Sequence, residues 1–123
     1  MAKTRTIRIK YLLRNIGIPP HILGYIYAAE AINYMVSKPN RALLLNNVYS
    51  HVASLYLTSE ACVEASIRNA VRKAYSHKTP LFNKMFGSLK SIGNHVFLTT
   101  LRDVFEKENL EYITQRLKQV YPI

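Results

Sequence analysis

The stretch YSHVASLYLTSEACVEASIRNAVRKAYSHK, residues 49–78, decides how the chain folds. With Val63 as the centre of a buried face, Ile67, Ala70, Val71 and Ala74 fall within about one third of the circumference at ~100° per residue. That spacing predicts an amphipathic helix over residues 59–77. Thr58 and Ser59 precede it, and Ser59 is the expected N-cap, its hydroxyl accepting from an otherwise free amide, with Glu60 complementing the positive helix end. Upstream, residues 49–57 predict a short helix that turns Val52, Ala53 and Tyr56 inward. A tight connection at 57–59, with small Ala53 where the two helices cross, matches a helix-turn-helix whose second helix enters the major groove of a duplex. Leu57 stands where Gly or Asn would most easily take the left-handed turn conformation.

Fixing the inner face fixes the outer one. It carries Ala61, Cys62, Glu64, Ala65, Arg68, Asn69 and Arg72, with Lys73 at its edge. Small residues let a helix approach closely. Arg68, Arg72 and Lys73 lie within two turns and suit the phosphates flanking a groove-bound helix. Glu64 can accept from a cytosine amino group and Asn69 can pair with adenine. A solvated helix face would carry similar residues, and any amphipathic helix pair joined by a Ser or Thr cap repeats much of the pattern.

Outside this stretch the apolar residues also recur at three and four, while the 4 glycines and 5 prolines sit at segment boundaries. An all-α fold follows, a compact bundle of about six helices containing the helix-turn-helix. Residues 6–15 predict a first helix with Ile7, Tyr11, Leu12 and Ile16 as its stripe and Lys10 and Arg14 away from it, ended by Gly17. Pro19-Pro20 suits a helix start, so a central, most buried helix is expected over 20–37. Lys38-Pro39-Asn40 reads as a turn, and residues 41–48 as a short helix with Leu43, Leu44 and Leu45. A helix over 80–86 stops at Gly87, residues 88–94 read as loop, and a last helix over 96–119 uses Phe97, Leu101, Val104, Phe105, Ile113 and Leu117.

Composition narrows the function. The 123 residues make one domain of ordinary hydrophobicity, 49%, with 17 Lys and Arg against 7 Asp and Glu and a net charge of +10. A folded helical domain has no structural need for such an excess, and a polyanion is the expected partner. The single cysteine, Cys62, cannot form an internal disulfide, and no apolar run approaches the ~20 residues that span a bilayer. A reducing cytoplasm, at the nucleoid and not at a membrane, is the expected location. The basic N-terminal segment 1–6 reads as a solvated tail, or with Lys3, Arg5 and Arg8 as an arm along a DNA backbone.

Catalysis is not indicated. His21, His51, His77 and His95 are spread singly, nothing lies at metal-ligand spacing from Cys62, and no glycine loop could cradle a phosphate. No cofactor, metal or enzymatic activity is expected. Five of the nine tyrosines, at 25, 27, 34, 56 and 75, fall mostly on core-facing positions, which favours packing over stacking on single-stranded RNA. His21, after the double proline, either sits with a helix start against a phosphate or serves as a core or capping residue.

Gly17-Ile18-Pro19-Pro20-His21-Ile22-Leu23-Gly24-Tyr25-Ile26-Tyr27, followed by Glu30-Ala31-Ile32, resembles the opening of the DNA-binding effector domain family of the sporulation response regulator, stage zero sporulation protein A. That family has Gly-Val/Ile-Pro-x-His-Ile-x-Gly-Tyr-x-Tyr there. Val52-Ala53, Thr58, Val63-Glu64, Ile67-Arg68, Ala70, Leu81 and Phe86-Gly87 continue the resemblance. It implies a helix-turn-helix bundle that binds promoter DNA to activate or repress transcription in spore-forming bacteria, with the RNA polymerase sigma subunit and a second copy on tandem sites as further expected partners. The family carries this domain behind a phosphoacceptor receiver, for which 123 residues leave no room, so a stand-alone paralogue or an excised domain is expected. The family's arginines flanking the base-reading glutamate are here Cys62 and Ala65, and Asn69 replaces a histidine, so the family's target sequence does not carry over. Those replacements leave a second expectation open, a non-enzymatic interaction protein that antagonises a full-length regulator or RNA polymerase through surfaces such as Leu81 to Gly87 or the last helix. A basic RNA-binding accessory protein is a third.

Overall fold

The computed structural model describes residues 2–38 and 44–120, with side-chain surroundings over 4–38 and 44–108. Six helices follow in order: α1 (Ala2–Asn15), α2 (Leu23–Ser37), α3 (Leu45–Leu55), α4 (Glu60–His77), α5 (Pro80–Phe86) and α6 (Asn94–Val120). Among the described residues there is no strand. The all-α bundle expected from periodicity is therefore the fold observed.

One helix organises the rest. α2 packs on α1, α3, α4 and α6, and it can do so because small and large apolar residues surround it: Tyr25, Tyr27, Ala28, Ala29, Ala31, Ile32 and Met35 are all buried. Its closest approach is to α4. A Cβ added at Gly24 would run into the Ser66 carbonyl and come within 2.7 Å of the Ala70 Cβ, so only glycine allows the two backbones to meet there. Among the described residues no polar or charged side chain is fully buried, which leaves the cationic excess at the surface.

Several sequence expectations shift. α1 starts at Ala2, so the basic segment is drawn into a helix, and Arg5 donates from Nε to Asn33 Oδ1 at 2.7 Å. Arg8 lies over the Phe105 ring, 5.3 Å from its centroid. Both arginines are thus engaged within the fold, while the side chain of Lys3 lies outside the described residues. The buried stripe of α1 is Ile9, Leu12, Leu13 and Ile16, whereas Ile7 and Tyr11 are 60% and 61% exposed. Two apolar arcs overlap on this helix, and the arc keeping the full three, four and seven spacing won.

α2 begins at Leu23, not at Pro20: residues 20–22 form a turn, and extended Ile22 is the N-cap. The two short helices expected over 41–48 and 49–57 are one helix, α3, because Val48, Tyr49 and Val52 form a continuous buried face. Residues 41–43, the Pro39-Asn40 part of the expected turn, and the side chains of Ile113 and Leu117 lie outside the described residues. α5 and its stop at Gly87 are as expected, with the Thr79 hydroxyl as cap acceptor. α6 buries Phe97, Leu98, Leu101 and Phe105.

Candidate nucleic-acid interface

The site is built from the turn between α3 and α4 outward. α3 closes with Tyr56 N–H donating to the Val52 carbonyl at 3.2 Å and Thr58 N–H donating to the Ala53 carbonyl at 3.0 Å. This six-to-one closure requires a left-handed residue between them, and Leu57 supplies it with φ 53° while standing 94% exposed. α1 ends in the same way, with Ile18 N–H donating to the Leu13 carbonyl at 3.1 Å across Gly17 at φ 104°. Tyr56, expected inward, is 39% exposed and meets the Tyr27 ring at 5.3 Å. Burial and the neighbouring Glu30 raise its phenol above the usual tyrosine range.

α4 then starts as the sequence predicts. The Ser59 hydroxyl accepts from the Cys62 N–H at 3.0 Å, with Glu60 in the first turn. Val63, Ile67, Ala70, Val71 and Ala74 are the buried residues of this helix. On the opposite side Ala61, Ala65, Arg68, Asn69, Arg72 and Lys73 are exposed, and Cys62 and Glu64 partly so. Glu64 and Arg68 form an ion pair across one turn, their side chains 38% and 49% exposed. The carboxylate therefore holds the guanidinium along the helix axis, in a pair whose worth to stability is small because water screens it.

Two other parts of the chain border this arc. On one side the start of α2 presses on Ser66 and Ala70, with exposed His21 three residues before Gly24. His21 lies in the turn before the helix, so it is not a core residue. On the other side α6 and its preceding loop are tied to α4: Asn94 Nδ2 donates to the Glu64 carbonyl at 3.1 Å and to the Tyr49 hydroxyl at 3.0 Å. Burial raises the Tyr49 phenol above its usual range, opposed by that amide contact. Tyr75 donates from its hydroxyl to the Lys90 carbonyl at 2.7 Å. Lys90 and Ser91 thereby lie beside Arg68 and Arg72, around a cavity of about 340 Å³. Sequence periodicity does not bring these two loop residues to the helix, because the closure spans 15 residues of chain and involves no repeat.

No other described segment buries the outer arc of α4, and no helix among the described residues is long and apolar enough to cross a membrane. The arrangement is an exposed helix face on which cations outnumber carboxylates, a shape and charge that complement a nucleic-acid groove. Residues 9–105 match a family model described as sporulation initiation factor Spo0A C terminal. The match runs from within α1 to within α6 and contains α2 to α5 whole. It agrees with the resemblance carried by Gly17 to Tyr27 and by the α3–α4 pair. The chain belongs to the Spo0A C-terminal family, a family of DNA-binding effector domains in sporulation transcription control and not an enzyme class.

Proposed function

We propose that the chain is a sequence-specific transcription regulator that binds promoter DNA with α4, capped by Ser59, in the major groove. The observation that carries this reading is the division of α4 itself, one arc wholly buried and the other open, with Arg68, Asn69, Arg72 and Lys73 on the open side. Ala61, Cys62 and Ala65 occupy its first turns and permit close approach to base edges. Glu64 and Asn69 are the base-reading groups, through cytosine and adenine respectively. Arg68, Arg72 and Lys73 neutralise phosphates, and His21 contacts the backbone from the start of α2. The protein acts in the cytoplasm at the nucleoid, with the sigma subunit of RNA polymerase and a second copy on an adjacent site as partners.

The neutral Cys62 and Ala65 favour a second reading, in which the retained fold antagonises a full-length regulator or polymerase. Selection of bound duplexes from a random pool at stated salt separates the two. The first reading expects an enriched sequence and a log-log salt slope of about 0.9 per phosphate contacted. No enrichment together with a flat salt response overturns it, and capture of a regulator or polymerase subunit by the same preparation then supports the second.

A further inference from the structure

We propose that the loop between α5 and α6 is a second DNA-contacting element, forming with α4 a slot that grips one strand of the duplex backbone through Lys90 and Ser91. The inference rests on the reading of α4 as the groove-entering helix and adds a contact which that helix does not supply. Arg68, Arg72 and Tyr75 follow one another along one flank of α4, and the loop folds back so that Lys90 and Ser91 face them across the 340 Å³ cavity. Val71 and Ile92 form its apolar wall. An opening with cations and a hydroxyl at its rim and an apolar wall matches a phosphodiester, whose charged oxygens sit beside the apolar face of a deoxyribose. A helix in the major groove has such strands on both flanks.

The charge distribution gives Lys90 its weight. Arg68 shares its charge with Glu64, so Lys90 adds to Arg72 on a flank where one of the two guanidiniums is already offset. The loop is also pre-positioned. Tyr75 holds the main chain of Lys90 at 2.7 Å, and Asn94, where the loop ends, is fixed to the α4 backbone. Tyr75 is therefore a positioning residue, whose hydroxyl sets where the lysine stands while its ring packs edge-on against Phe82 at 5.8 Å.

The test uses the full chain, with Lys90→Ala, Tyr75→Phe and the double variant, and measures affinity for a selected and an unrelated duplex across a salt series. Lys90→Ala is expected to weaken both duplexes equally, by about fivefold at 0.15 M salt, and to lower the log-log salt slope by about 0.9, as loss of one phosphate contact requires. Tyr75→Phe, which keeps the ring and removes the tie, is expected to lower the same slope by a smaller amount. In the Tyr75→Phe background, Lys90→Ala should cost less than it does alone. Wild-type affinity and slope in Lys90→Ala overturn the inference and leave the role of α4 standing. A loss confined to the selected duplex also overturns it, by making the lysine a base reader. Failure of the unaltered chain to bind either duplex brings down both.

Discussion

Ile67 and Arg68 are neighbours in the chain and belong to different parts of the molecule's work. The isoleucine is fully buried in the core shared by α2, α3 and α4, and the arginine stands half in water on the arc that faces away from it. On the proposed reading a single helix thus carries two separable quantities, the free energy of folding on one side and affinity for a polyanion on the other. Substitutions one residue apart should therefore move different measurements.

The largest expected effect is on the inner side. Ile67→Ala should cost about 2–5 kcal/mol in denaturant unfolding, from lost burial and the cavity left behind. Gly24→Ala should cost about 1–3 kcal/mol, because the added methyl forces α2 off the Ser66 carbonyl. On the outer side, Arg68→Ala should leave unfolding within about 0.5 kcal/mol of the original and weaken duplex binding by about 1 kcal/mol, alike for different sequences. Equal unfolding losses at 67 and 68 would break the division.

Smaller effects sharpen it at the turn. Ser59→Ala should lower stability by about 1 kcal/mol, read by thermal or denaturant unfolding, through loss of the acceptor for the Cys62 amide. Leu57→Gly should raise stability by about 0.5–1 kcal/mol, because glycine relieves the left-handed backbone at a side chain that buries almost nothing. Unchanged stability there would mean that the extra freedom of glycine in the unfolded chain offsets the relief.

α4 was legible because its signals agree. The apolar spacing, the serine cap and the acidic first turn all point to one helix in one orientation, and every inner residue predicted from Val63 is buried. α1 was less legible since Ile7 and Tyr11 extend its apolar arc without entering the core, and spacing alone cannot tell a groove from a core. The join of α3 across Val48 and Tyr49 was hidden by local leucines. In the candidate site the angular order of Ala61 to Lys73 followed from helix geometry. The flanking loop did not, because a hydrogen bond from Tyr75 to a backbone carbonyl leaves no pattern in the residues between. The Glu64–Arg68 pair had a readable four-residue spacing, and only its occupancy needed coordinates.

The crossing at Gly24 bears on how a target is chosen. With the α2 backbone at Gly24 set directly against the Ser66 carbonyl of α4, an α4 that enters a groove as proposed would have little room to shift against α2. On that reading the protein would act as a stiff die, and the cost of any mismatch in groove width would fall on the nucleic acid. Sites with readily deformed pyrimidine–purine steps then gain preference at positions that no side chain touches.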